Sequence, residues 1–312
     1  MANEITNNGL KTDLRITAMI SQEIRLLLSD STSLRNTLYM TNVGSINGMG
    51  SDTIRVRKAG LDGYDADQWA TFSGSPEPDA VTNTALTDSS VDVTVKRRAL
   101  QYTVTDLAGM TGMGADVDPA RMAASIAASY DGFFADMTAD AFAAFTDIEA
   151  TCTGAALTVA GFMAAYQKLQ NKSGKSVPGP YVCVLGANSW GELQLSIKAQ
   201  TGSIGLTAAT YENIAAKGSN YKGSFLGVEI YTSSYMTHNG VDNLQGMWAP
   251  GAIGFATGTP DPVGAVNVIR GDQVTVEFAR NASNASTSIV GHAYLGLSII
   301  DDDRGVLLKS QK

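Results

Sequence analysis

Few residues in this chain are of a type and spacing that could do chemistry together. The two histidines, His238 and His292, lie far apart, and neither has a second histidine or cysteine at the spacing of a zinc site. Cys152 and Cys183 are equally isolated and sit among small or apolar neighbours, so two buried free thiols are expected. No Gly-x-Ser-x-Gly elbow occurs to present a nucleophile. Ser173-Gly174-Lys175-Ser176 resembles the end of a phosphate-binding loop. The first glycine of that motif would fall at Leu169, and a helix precedes the segment where the motif needs a strand. Gly109, Gly112 and Gly114 do not have dinucleotide-fold spacing and suit a hinge. Asp301-Asp302-Asp303 lacks the other ligands of a calcium loop and reads as an acidic turn. Arg270-Gly271-Asp272 suits a hairpin turn, and the acceptor patterns at Asn281 and Asn284 carry no weight without a secretory signal. The expectation is a chain with no catalytic centre, no cofactor and no metal. Carboxylate pairs are nevertheless too common for an acid–base enzyme to be excluded.

The chemistry that does stand out is one of charge placement. Thr53 to Lys58 alternates with period two and reads as a strand, with residues 91–105 as its partner. In the second run Val91, Val93 and Val95 share one parity while Leu100, Tyr102 and Val104 share the other, a slip of the kind a β-bulge produces. Between the strands, residues 59–90 form a polar excursion rich in Gly, Asp and Pro, with no lysine or arginine. Loops this long are uncommon inside compact domains and are usually functional or disordered. Trp69 and Phe72 argue for function, because large aromatics need a surface to pack on. The excursion carries Asp62, Asp65, Asp67, Glu77, Asp79 and Asp88, and its base carries Arg55, Arg57, Lys58, Lys96, Arg97 and Arg98. An acidic tip and a basic base on one element are complementary between copies, as a head-to-tail contact requires. The alternative is two solvated charge clusters. Exposed pairs contribute only about 0–1 kcal/mol each, so their value would lie in register.

The remaining elements give an α+β chain. Residues 13–29 read as a short amphipathic arm helix, and Asn42 to Ser51 as a linker. Asp118-Pro119 is a strong helix start. Met122, Ile126, Tyr130, Phe133, Phe134, Met137, Phe142 and Phe145 then recur at three- and four-residue spacing, so a spine helix to about Thr146 is expected, roughly 40 Å long. Thr158 caps a helix with Val159, Phe162, Met163, Tyr166 and Leu169 on one face. Tyr181 to Leu185 reads as a strand, followed by a helix capped at Asn188 or Ser189 that carries Trp190, Leu193 and Ile197. Residues 201–222 read as loop, Phe225 to Thr232 as a strand kinked at Gly227, and Gly246 to Thr257 as another strand. The end is β-rich: 266–269, 273–278, 289–300 and 305–308.

Composition narrows the role. The chain has 312 residues, 44% hydrophobic and only 17% charged, where about 25% charged is usual. So neutral a surface suits burial against copies of itself. The net charge is −8, from 30 acids and 22 bases, the opposite of a protein that coats nucleic acid but compatible with a container for it. The first residues are polar with no signal-peptide core, and no run approaches the roughly 20 apolar residues of a membrane helix. Synthesis in a cytoplasm is expected.

This order of parts resembles the major capsid proteins of tailed phages and herpesviruses, the Hong Kong ninety-seven-type fold. The resemblance covers nearly the whole chain. Locally, Tyr181-Val-Cys-Val-Leu-Gly-Ala-Asn-Ser-Trp190 is similar to the family's axial strand-then-helix step, and Gly223-Ser-Phe-Leu-Gly-Val-Glu-Ile-Tyr231 to its Gly-x-Gly strand. The resemblance implies an N-terminal arm at 1–51, an extended β-hairpin loop at 52–106, a peripheral domain with the spine helix at 107–156 and 259–312, and an axial domain at 157–258. It implies self-assembly into pentamers and hexamers of an icosahedral shell that encloses double-stranded DNA without reading its sequence. The protein would be made in the bacterial host cytoplasm and would end in the virion capsid, with no membrane partner. Portal and decoration proteins are further partners it would allow. Only about 50 residues precede the loop, which implies a separate scaffold protein or none. The resemblance does not carry over the Lys–Asn cross-link of some relatives to Lys58. Two related readings stay open, an encapsulin-type compartment shell and a surface-layer or tail structural protein, beside an unrecognised α+β enzyme.

Overall fold

A computed structural model describes residues 40–57, 90–107, 119–171, 177–199, 206–208, 217, 220–234, 236–259, 268–270 and 274–312. The expected arm helix, the glycine cluster at 109–114, the phosphate-loop look-alike at 173–176 and the excursion beyond Arg57 fall outside these residues.

One helix organises the rest. Helix α1 (Pro119–Ala143) opens on its proline, whose fixed φ suits the first helical turn, and at 1.5 Å per residue spans about 37 Å. It ends earlier than the apolar series suggested, because Phe145 packs from the turn that follows. Its first half lays Met122, Ile126 and Tyr130 against Val274, Val276, Ile289 and Ala293. Its second half lays Phe134 and Phe142 against Val182, Val184, Trp248 and Leu307. These two sets of partners belong to different sheets, so α1 bridges them. Each fully buried side chain of this kind contributes about 1.5–3 kcal/mol.

The first sheet contains β1 (Thr41–Ser45), β4 (Lys96–Thr105), β11 (Ile253–Thr257), β12 (Val268–Arg270), β13 (Val274–Asn281) and β14 (Ser286–Ile299). Its axis is β14, a 14-residue strand. Residues 286–293 have β13 on one edge and β4 on the other, and β11 pairs with residues 295–299. The second sheet runs β5-β15-β10-β6-β9-β8-β7. These strands are Ile148–Cys152, Gly305–Gln311, Asp242–Trp248, Tyr181–Gly186, Val228–Ser233, Tyr221–Phe225 and Leu206–Ala208, in that order. Strand β6 is buried along its whole length and shows why a continuous apolar run is needed there. Val182 and Val184 face α1, while Tyr181, Cys183 and Leu185 face α2 (Val159–Gln170) and α3 (Ala187–Ala199) on the other side. Residues 259–312 are therefore divided: β12–β14 lie in the first sheet and β15 in the second.

The α+β class and the principal elements are as expected, and several local readings are corrected. The parity slip near Lys96 is no bulge. The chain changes sheets at Val95, with β3 (Ser90–Thr94) pairing with β2 (Thr53–Arg57) and β4 pairing with β14. Gly227 is no kink but half of a tight hairpin turn, where Leu226 (φ 52°) and Gly227 (φ 79°) give the two positive φ values that match strand twist. Gly246 to Thr257 is two strands in different sheets, β10 and β11, separated by Pro250-Gly251. The expected loop 201–222 contains β7 and the start of β8. The expected linker Asn42 to Ser51 overlaps β1, which has poor strand composition but gains parallel pairing with β11. Helix α3 begins before Asn188, so neither Asn188 nor Ser189 caps it; Ser189 is buried and bonded to Ser310 and Gln245. Thr158 does cap α2. Met163 on that helix is 39% exposed, and Ala165 takes the buried place on the inner face. Cys152 and Cys183 are buried free thiols, as expected.

Close approach of α1 depends on glycines in the sheets. A Cβ at Gly291 of β14 would stand 2.8 Å from Ile126, and one at Gly246 of β10 or at Gly305 of β15 would overlap the ring of Phe142 or Phe145. Gly246→Ala should therefore destabilise the fold by about 1–3 kcal/mol through overpacking. Urea denaturation would measure this, and adding Phe142→Leu should recover part of the loss. A neutral Gly246→Ala would show that the helix is not seated on that strand.

Candidate functional site

The elements that carry the basic residues meet where the hairpin leaves the first sheet. Strands β2 and β3 form a separate antiparallel pair, with Arg55 opposite Asp92. Its apolar side, Ile54, Val93 and Val95, packs on Ala256 and leaves the other side open. The exit is narrow: a Cβ at Gly296 would stand 2.5 Å from the Thr94 carbonyl oxygen, so β14 must carry glycine where the chain crosses it. The Val95 N–H donates to Asp52 O at 2.8 Å and closes the base of the hairpin.

The charges there are distributed between internal partners and the surface. Arg55 makes a two-pronged contact with Asp92, Nε to Oδ1 at 2.8 Å and Nη2 to Oδ2 at 3.0 Å. That bond holds the Asp92 carboxyl below the usual aspartate range. Arg280 holds Asp106 below its usual range in the same way, at the far end of β4. Lys96, Arg97 and Arg98 all begin β4 and are exposed. Parity sends Arg98 toward α1, where its guanidinium lies 5.2 Å from the Phe133 ring centre, a cation–π arrangement. Arg97 points to the opposite face, and its Nη2 lies 3.2 Å from His292 Nδ1.

On the α1 side a trough runs between the helix and β4–β14. One part, of about 560 Å³, is lined by Lys96, Arg98, Phe133, Met137 and Leu297. A second, of about 570 Å³, is lined by Arg98, Tyr130, Phe133, Asp136 and Asp140. Arg98 and Phe133 belong to both. The trough thus has an apolar floor with cations on the strand side and carboxylates on the helix side. Phe133 and Met137 were read from their spacing as core; they are half-buried and form this floor.

Of the expected contact residues, Arg55, Arg57, Lys96, Arg97 and Arg98 lie together around the hairpin base. Lys58, Asp62, Asp65, Asp67, Trp69, Phe72, Glu77 and Asp79 lie outside the described residues. Sequence reasoning missed Asp92, which a strand register would have set opposite Arg55, and His292, which it weighed only as a metal ligand. The acidic turn is structural: Asp301 accepts from Asp303 N and Arg304 Nε, Asp302 accepts from Thr146 N, and Arg304 reaches Pro250 O. Among the described residues no three His, Cys, Asp or Glu converge as metal ligands, and no helix is long and apolar enough to cross a membrane.

The sequence matches no family model, and no curated protein matches it either. Among solved structures the chain is similar to the capsid of cyanophage P-SCSP1u at 13% identity, covering 89% of this chain and 88% of that one with a TM-score of 0.57. It is similar to the capsid of the native GTA particle at 13% identity, covering 90% of each chain with a TM-score of 0.56. It is also similar to the SrpI encapsulin of Synechococcus elongatus PCC 7942, at 11% identity, covering 89% and 87% with a TM-score of 0.56. The chain has the α+β phage-capsid fold.

The Arg55–Asp92 contact yields a direct expectation. In the folded protein the Asp92 carboxyl should titrate below about 3.9, the ordinary aspartate value, and Arg55→Gln should raise its midpoint. Because the folded value is the lower one, the contact stabilises the fold above the ordinary value and is lost as pH falls through the depressed one. Carboxyl-carbon NMR would measure both, and an unchanged midpoint in Arg55→Gln would rule the contact out.

Proposed function

We propose that this chain is the major capsid protein of a tailed double-stranded DNA phage, a shell subunit and not an enzyme. The observation that carries the reading is similarity to capsid chains over about nine-tenths of both partners. Three features support it. Few charges leave much neutral surface to bury against copies. The net charge of −8 suits a wall that encloses DNA without binding its sequence. A basic, exposed strand start lies at the foot of an acid-rich excursion.

In this reading the subunits form pentamers and hexamers of an icosahedral shell in the virion, after synthesis in the bacterial host cytoplasm. The reading allows portal and decoration proteins as partners, and a separate scaffold protein or none. Residues 1–51 serve as the arm and 52–106 as the extended loop. Residues 107–156 with 259–312 serve as the peripheral part, and 157–258 as the axial part. The excursion of one copy, through Asp62, Asp65, Asp67, Trp69, Phe72, Glu77 and Asp79, meets the base of the next through Arg55, Arg57, Lys58, Lys96, Arg97 and Arg98. Head-to-tail contacts of this kind close into rings. Similarity to an encapsulin at a TM-score of 0.56 supports a second reading, a compartment shell with a protein cargo.

Negative-stain electron microscopy of the purified chain tests the class. Closed icosahedral particles are expected. Tubes or flat sheets would favour a surface-layer or tail role, and a soluble monomer that turns over a defined substrate would sink the shell reading. Arg97→Glu with Arg98→Glu should abolish particles at physiological salt while circular dichroism stays native. Asp62, Asp65 and Asp67 changed together to Asn should give the same defect. Normal assembly by both variants would overturn the proposed contact.

A further inference from the structure

His292 lies in the middle of β14 and is only 8% exposed. In the antiparallel register its cross-strand neighbours are Ala99 on β4 and Thr275 on β13. The diagonal neighbours are charged and of opposite sign. Arg97 approaches Nδ1 from β4 at 3.2 Å, and Glu277 approaches Nε2 from β13 at 3.4 Å. A guanidinium has no acceptor, so the Arg97 contact requires Nδ1 to be the unprotonated nitrogen. The proton then sits on Nε2, where it faces the Glu277 carboxylate. The neutral imidazole in this tautomer satisfies both neighbours at once. A second proton on Nδ1 would set one N–H against another, with two positive charges about 3 Å apart on a surface of reduced dielectric. Arg97 would have to swing away.

The other charges near the imidazole do not change this outcome. On α1, Asp136 and Asp140 line a trough with Arg98 whose wall includes His292 itself; strand alternation turns the imidazole to the other face, toward Arg97 and Glu277. Burial and the Arg97 charge lower the imidazole's affinity for a proton, and Glu277 only partly opposes them.

We propose that His292 is a proton-operated latch on Arg97. With the imidazole neutral, the latch holds the guanidinium in place on the sheet for the acidic segment of a neighbouring copy. On protonation it releases that side chain and weakens the contact. The proposal rests on the shell reading and deepens it by giving the interface a pH dependence. An arginine already held in one geometry has less side-chain freedom to lose when its partner arrives, which is what release on acidification gives up.

The chain has two histidines, so each imidazole can be followed separately. The test begins with the NMR titration of the unassembled full chain. His292 should titrate below about 6.5, the ordinary histidine value; Arg97→Gln should raise its midpoint, and Glu277→Gln should lower it. A His292 midpoint indifferent to Arg97→Gln would overturn the latch, whether or not particles form. The second arm measures the critical concentration for assembly by light scattering at pH 7.5 and at a pH below the His292 midpoint that the first arm finds. The wild type should require roughly tenfold more protein at the lower pH, the size of one lost hydrogen bond to a charged group. His292→Gln should level the two values, and His238→Gln should leave the difference intact. A wild-type difference that survives in His292→Gln would overturn the link to assembly. Absence of particles at either pH, with the titrations as expected, would overturn the link to assembly and leave the latch itself standing.

Discussion

The structure depends on how closely one helix can approach two sheets. Among the described residues helix α1 packs on sheets and on no second helix along its inner face: on β14 with its first half and on β10 and β15 with its second. Both contacts are made where the strand offers a glycine to a large side chain, Gly291 to Ile126 and Gly246 to Phe142, and Gly305 receives Phe145 from the turn after the helix. A strand normally loses stability by carrying glycine. Here the loss is offset because the glycine leaves room for a ring that packs on further aromatics. Phe142 reaches Trp248 with ring centres 4.9 Å apart and a tilt of 39°. The helix therefore fixes the two sheets to each other, and with them the position of everything mounted on their rims.

The hairpin base is one of those mounted parts. Its place is set by β14, which lies between β13 and β4 and also carries Gly296 under the chain crossing. Because β4 is held along ten residues, its parity is fixed. Arg97 and Arg98 must then face opposite sides of one sheet: one meets His292, and the other meets Phe133 above the trough. Two adjacent arginines that look like one charge cluster in the sequence are two different chemical environments in the fold.

That distinction marks how far the sequence could be read. Elements with a strong period were legible: α1 from its proline and apolar series, α2 from the Thr158 cap, β13 and β14 from alternation. Failures came where tertiary pairing overrides local signal. Strand β1 has a glycine and an asparagine and is a strand because β11 offers it a partner. The turn at Leu226-Gly227 lacks the usual Asn-Gly signature, so its two positive φ values were invisible. The parity slip was detected but placed between Lys96 and Ala99, just after the crossing at Val95, and a bulge and a change of sheets leave the same trace in a single chain. Distinguishing them requires knowing that β14 has a free edge to receive β4.

The charged site was half legible for the same reason. Residue type alone identified a basic base and an acidic excursion, and hence a reason for copies to meet. It could not say which base is already occupied. Arg55 is paired across its own hairpin, so its contribution to a neighbour is that of a neutralised pair, whereas Lys96, Arg97 and Arg98 stay exposed. Exposed charge is worth little per pair in water, and it gains specificity only when its geometry is held in advance. His292 and Phe133 hold it here, on opposite faces of β4. Both were set aside in the sequence reading, one as a lone histidine and the other as core. In the proposed contact, the surface depends on two uncharged side chains as much as on the cations that announce it.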